Sequence, residues 1–111
     1  MIHEVLPAVA FEALKKDKNA KLIDVRTPAE FTEVHASGAI HIVLANISKA
    51  ALAAAGITDT ASNLYVICKG GGRSRQACEM LVGEGFANLH NVSGGTMAWV
   101  DENLPHKKNK S

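Results

Sequence analysis

The sequence predicts an α/β fold with a mostly parallel central sheet of about five short strands and helices on both faces. Three observations carry that prediction. Short apolar runs of strand length recur along the chain at Leu22-Ile23-Asp24-Val25, Ile40-His41-Ile42-Val43, Leu64-Tyr65-Val66-Ile67 and Leu89 to Val92. A segment with helix start or stop signals separates each run from the next. Strictly alternating strands and helices pair in parallel through right-handed crossovers, which place helices on both faces of the sheet.

Along the chain, Leu6-Pro7 followed by Ala10, Phe11 and Leu14 reads as a short helix with proline in its first turn, ended by Asn19. After the first strand, Thr27-Pro28-Ala29-Glu30 forms a capping box with proline at the first helical position. That helix runs to about His35 before Ser37-Gly38 breaks it. The second strand precedes an alanine-rich helix, Ser48 to Ala55, closed by Gly56. The third leads through Cys68-Lys69-Gly70-Gly71-Gly72-Arg73 into a helix over Ser74 to Glu84 that stops at Gly85. Past the fourth, Gly94-Gly95 turns the chain into a last helix, Thr96 to Glu102, carrying Trp99.

A chain of 111 residues is one domain in length, here residues 1–111, and it buries a core without staples. A hydrophobic fraction of 47% and a charged fraction of 21% are those of a globular protein. The net charge of +1 argues against nucleic acid and anionic membranes as partners. Lys107, Lys108 and Lys110 read as a solvated tail over 106–111. Two cysteines ten residues apart make neither a disulfide scaffold nor a Cys-x-x-Cys pair, and no Cys/His cluster has zinc spacing. The first sixteen residues carry Glu4 and Glu12 and resemble no signal peptide, so a reducing cytoplasmic location is the expectation.

Chemistry is expected at the carboxyl end of the third strand, where open parallel sheets bind ligands. Three consecutive glycines are entropically wasteful in a structural loop, but they let successive backbone N–H groups turn inward around an anion. The helix starting near Ser74 points its positive end into the same space. Beside such a nest, with Lys69 and Arg73 nearby, Cys68 is expected to favour the nucleophilic thiolate. A buried structural cysteine before a flexible turn would explain neither the glycines nor the cations.

Cys78 shares a helical stripe with Ala77, Leu81 and Val82 and reads as a core residue. His3, His90 and His106 read as surface or strand-edge residues, and His35 and His41 as hydrogen-bonding structural residues beside a turn. Asp24 and Arg26 end the first strand either as a charged pair beside the active loop or as ordinary strand-end polar residues.

Taken together, these residues resemble the rhodanese family over about Lys21 to Pro105. Leu22-Ile23-Asp24-Val25-Arg26 with Glu30-Phe31 is similar to the family's opening strand and helix. Cys68 to Ser74 is similar to its active-site loop, a cysteine followed by Gly-x-Arg-Ser. Ala77 to Leu81, Gly85-Phe86, Gly94-Gly95 and Trp99 complete the likeness. Two departures stand out. The segment Val34-His35-Ala36-Ser37-Gly38-Ala39-Ile40-His41 lacks the family's proline, and Gly70 offers no side chain to select a donor.

The resemblance implies a sulfurtransferase in which Cys68 takes the outer sulfur of a small anionic donor such as thiosulfate. As a persulfide, it then passes that sulfur to cyanide, a thiol or a sulfur-carrier protein. The implied site is Cys68 with the binding loop Lys69, Gly70, Gly71, Gly72, Arg73 and Ser74, supported by Asp24, Arg26 and Glu30, with no metal or organic cofactor. One alternative is a persulfide carrier serving a protein partner. Another is a phosphatase or arsenate reductase on a related fold. Those enzymes place five residues between cysteine and arginine; here four, Lys69 to Gly72, intervene.

Overall fold

The computed structural model describes residues 2–109. Its elements run β1 (Ile2–Val5), α1 (Pro7–Lys16), β2 (Lys21–Asp24), α2 (Pro28–Glu33), β3 (Val34–Ala36) and β4 (Ile40–His41). A 3₁₀ turn at Leu44–Asn46 follows, then α3 (Lys49–Ala54), β5 (Asn63–Ile67), α4 (Gly72–Gly83), β6 (Asn88–Val92), α5 (Gly95–Asp101) and β7 (His106–Lys108). Five strands form one parallel sheet in the order β1-β6-β5-β2-β4, while β3 and β7 pair antiparallel in a small separate ribbon.

Strand alternation divides the apolar residues between two layers. Ile23, Leu64, Val66 and Leu89 pack with Leu52 of α3 and with Ala77, Cys78 and Leu81 of α4. On the opposite face Leu22, Tyr65, Ile67 and Val92 pack with Ala10 of α1 and Trp99 of α5. Helices therefore cover both faces, as the alternation predicts. The Trp99 indole N–H donates to the Pro105 carbonyl at 2.8 Å, and Phe11 meets its ring edge-on at 6.0 Å. The capping box acts as expected, and the structure adds a second cap at Ser48. Thr27 accepts from the Glu30 N–H at the start of α2, and Ser48 from the Ala51 N–H at the start of α3.

Several boundaries differ from the sequence reading. The second helix ends at Glu33 rather than His35, because Val34–Ala36 pairs with His106–Lys108. That pairing makes residues 106–108 a strand instead of a solvated tail; Lys110 lies outside the described residues. The run at Ile40–Val43 is a strand only over Ile40–His41. The fifth strand is β1, which the sequence analysis passed over. Its pattern, half-buried at both ends and exposed between, is that of a sheet edge supported by β6 alone. The fourth helix starts two residues early, at Gly72, and Val82 faces solvent instead of the core. His90 is no edge residue: it sits in β6, between β1 and β5, stacked on His3 at 5.2 Å and on Tyr65 at 4.4 Å.

Candidate active site

Cys68 follows the central strand β5 directly and is 1% exposed. The loop behind it closes at Gly71, whose φ of +116° is accessible to glycine at little strain. This turn brings the Gly71 N–H to 3.0 Å from Cys68 Sγ, and the Ser74 hydroxyl lies 3.3 Å away. Burial pushes the thiol upward. The Ser74 hydroxyl and N–H, with the N–H groups of Gly71 and Gly70, more than offset that and bring it below its ordinary value. The anion nest expected from the glycines is thus a set of backbone donors aimed at sulfur.

From the far side, α5 holds the loop. The Thr96 N–H donates to the Cys68 carbonyl at 2.7 Å and the Met97 N–H to the Lys69 carbonyl at 3.4 Å. This close approach requires Gly95. A Cβ there would collide with the Cys68 carbonyl oxygen and lie 2.5 Å from that of Lys69, at a φ of +59°.

The two arginines are engaged by carboxylates. Arg73 Nη1 and Nη2 donate to Glu30 Oε1 and Oε2 at 2.7 and 2.9 Å. Held first by Arg73 and then by the capping contacts of Thr27, against some desolvation, the Glu30 carboxyl is drawn down to about 2. Arg26 and Asp24 form the charged pair that the sequence left open. Both are buried, with Nε and Nη2 on the Asp24 carboxylate at 2.7–3.1 Å and Nη2 also on the Val34 carbonyl. The Lys69 side chain is exposed and makes no hydrogen bond or ion pair among the described residues. Beside the loop opens a cavity of about 690 Å³, lined among others by Arg26, Glu30, Lys69, Thr96, Met97 and Lys108.

Cys78 is fully buried among Ala77 and Leu81, and desolvation foremost pushes its thiol up to about 12. His35 and His41 sandwich the Phe31 ring at 3.9 and 4.5 Å, and each has a ring nitrogen on a backbone carbonyl, those of Phe31 and Arg26. Two residues at the loop escaped the sequence reading. Asn91 contacts both Ser74 and the Gly71 carbonyl, and Glu4 contacts Asn91. A signal existed for Asn91: it is the polar residue at an inward position of the run Leu89–Val92.

Comparison with known proteins finds relatives over most of the chain. A family model described as a Rhodanese-like domain matches residues 8–102, starting ahead of the resemblance read from Lys21. The chain is 35% identical over 96 residues to the thiosulfate sulfurtransferase GlpE of Vibrio cholerae, covering 86% of this chain and 87% of that protein. It is 30% identical over 99 residues to YrkF of Bacillus subtilis, described as a candidate sulfur carrier, covering 86% of this chain and 51% of that protein. The solution structure of a rhodanese-like domain from Anabaena shares the fold at a TM-score of 0.83 and 20% identity, over 97% of this chain and 80% of that one.

Proposed function

The chain belongs to the rhodanese-like sulfurtransferase family, and from that premise we propose that it moves a sulfane sulfur from a small anionic donor such as thiosulfate through a persulfide on Cys68. The observation that carries the proposal is the convergence of the Gly71 N–H and the Ser74 hydroxyl on a buried sulfur. In the first step the Cys68 thiolate attacks the outer sulfur of thiosulfate. The S–S bond breaks, and sulfite leaves with its electron pair. The persulfide anion remains in the same cradle of donors, which stabilises negative charge on either sulfur without reorganising. In the second step an acceptor nucleophile attacks the terminal sulfur and the thiolate is restored; with cyanide the product is thiocyanate.

The loop, Lys69 to Ser74, is the proposed binding element for the donor, with Asp24, Arg26 and Glu30 supporting it from β2 and α2. Lys69, exposed at the rim of the cavity, is a cation available to meet an incoming anion. We take the chain to act in the reducing cytoplasm, where both thiols stay free. No helix among the described residues is long and apolar enough to cross a membrane.

Similarity to the candidate sulfur carrier of B. subtilis supports a second reading, in which the acceptor or donor is a protein thiol and Cys68 serves as a relay. Intact-mass measurement after incubation with thiosulfate tests the proposal: one added sulfur is expected on the wild type and none on Cys68→Ser. Slow loading by thiosulfate with fast loading by a persulfidated protein selects the relay. A wild type that gains no sulfur from either overturns both. Para-nitrophenyl phosphate assayed beside them is expected to give no Cys68-dependent hydrolysis, because four residues rather than five separate Cys68 from Arg73.

A further inference from the structure

Strand register places a polar pair beside the sulfur that the sulfur-transfer chemistry leaves unused. Asn91 of β6 lies level with Glu4 of β1 on one side and Val66 of β5 on the other, and Cys68 follows Val66 by two residues on the same face. Asn91 is 2% exposed at the end of an apolar layer. Its amide nitrogen donates to Glu4 Oε1 and Oε2 at 3.0 and 3.1 Å and to the Gly71 carbonyl at 3.1 Å. Carboxylates and carbonyls only accept, so these partners fix the amide with its NH₂ toward β1 and the loop. Its Oδ1 is thereby turned to Ser74, whose hydroxyl hydrogen-bonds it. The same hydroxyl lies 3.3 Å from Cys68 Sγ and 3.1 Å from the Gly71 carbonyl.

A hydroxyl has one proton to give. While Cys68 is a neutral thiol, Ser74 donates to Asn91 and its lone pairs are open to the S–H. Once the sulfur carries charge, the Ser74 proton turns to it, and Asn91 Oδ1 loses its donor in a nearly dry site. Loss of a partner by a buried acceptor is unfavourable. Asn91 therefore favours the thiol, in opposition to Gly71.

We propose that Glu4 and Asn91 are positioning residues: by holding the Asn91 carbonyl toward Ser74, they divide the Ser74 proton between Asn91 and the Cys68 sulfur and so set the thiol–thiolate balance at Cys68. The inference rests on the reading of Cys68 as the reactive thiol. The ionisable groups around that sulfur leave room for the effect. Arg73 and Cys78 of α4 interact with it electrostatically, Arg73 already bound to Glu30 of α2 and Cys78 neutral. Asp24 and Arg26 of β2 are paired with each other, and Glu4 of β1 with Arg75 of α4 at 2.6 Å. Lys69 precedes the loop glycines and is exposed.

The test is the pH midpoint of Cys68 alkylation by iodoacetamide in a Cys78→Ala background. Ser74→Ala is expected to raise the midpoint. Asn91→Ala is expected to lower it by about 0.5–1 pH unit, the size of one modest hydrogen bond. In a Ser74→Ala background, Asn91→Ala is expected to do nothing, because no proton remains to be divided. A rise or no change with Asn91→Ala alone, or an equal fall with and without Ser74, overturns the proposal.

Should Asn91→Ala fail to fold, Glu4→Ala decides. The Glu4 side chain is 45% exposed, and its removal leaves only the Gly71 carbonyl to hold the amide. A smaller fall is expected that persists in 1 M salt, where screening confines charge effects to about 3 Å. A fall abolished by salt assigns the effect to the Glu4 charge and overturns positioning, as does no fall. Sulfur loading by thiosulfate is read on the same preparations. A wild type that loads no sulfur from thiosulfate or from a persulfidated protein refutes the sulfur-transfer reading, while the alkylation midpoints still judge the positioning by Glu4 and Asn91.

Discussion

Arg73 and Glu30 clamp α4 to α2 through two hydrogen bonds of 2.7 and 2.9 Å, and the hydrogen bonds to Cys68 Sγ come from Gly71 and Ser74 instead. The arginine of the loop thus spends its geometry on shaping the site, with its charge largely met by a carboxylate. The Glu30 carboxyl is lowered from 4.5 to about 2, so its ionised form is favoured by folding. That contribution is complete above about pH 4.5, where both states are ionised. It fades as pH falls toward about 2, because the unfolded chain takes up the proton first. Urea midpoints measured from pH 6 to pH 2 are expected to fall less steeply in Glu30→Gln than in the wild type. Parallel curves would remove the clamp from the account of stability.

Thiolate stabilisation at Cys68 comes from the backbone nest and Ser74 more than from Lys69. Lys69→Ala is accordingly expected to leave the alkylation midpoint within about 0.3 pH unit, since an exposed, solvent-screened cation contributes little. Gly71→Pro removes the N–H that lies 3.0 Å from the sulfur and cannot adopt a φ of +116°, so it is expected to raise the midpoint. A larger rise for Lys69→Ala would assign the effect to the side-chain charge.

With its thiol raised to about 12 and no exposure, Cys78 is expected to be inert toward alkylation in the folded protein at pH 8. Cys78→Ala should retain most thiocyanate formation and lose about 1 kcal/mol of stability through the small void it leaves. A folded Cys78→Ala protein without transfer activity would point to a two-cysteine mechanism.

Gly95 is the point where α5 meets the loop. Gly95→Ala forces a Cβ against two loop carbonyl oxygens, so a loss of more than about 2 kcal/mol in urea unfolding is expected. Gly70, with open space around its Cα, is the matched control, and Gly70→Ala should stay within about 0.5 kcal/mol. Equal losses at the two positions would show that steric contact is not what selects glycine at 95.

Removing Arg26 leaves Asp24 buried without its cation. Arg26→Ala is expected to destabilise the protein by about 3–5 kcal/mol, whereas a solvated strand-end arginine would cost under 1 kcal/mol. Thermal or urea unfolding separates the two.

By itself the sequence determined the alternation of strands and helices along the chain from β2 to α5 and the place of the glycine loop after Cys68. The mostly apolar runs at Leu22–Val25 and Leu64–Ile67 supply β2 and β5 because burial on both faces favours apolar residues at successive positions, Asp24 being buried only with Arg26 as its partner. The capping box at Thr27 and Glu30 acts within four residues, and three glycines between a cysteine and a helix start have few uses besides shaping a nest of N–H groups. All of these are short-range interactions, and short-range interactions are written in order along the chain. Tertiary structure decided the rest, where partners lie far apart in sequence. The exposed strand β1 exists through β6, and β3 and β7 exist through each other across seventy residues. Whether Arg73 would bind Glu30 or the sulfur, and whether Asp24 and Arg26 would pair, depended on how α2 and β2 dock beside α4. The alignment of Glu4, Asn91 and Ser74 behind Cys68 follows from strand register, which no local pattern around the cysteine encodes.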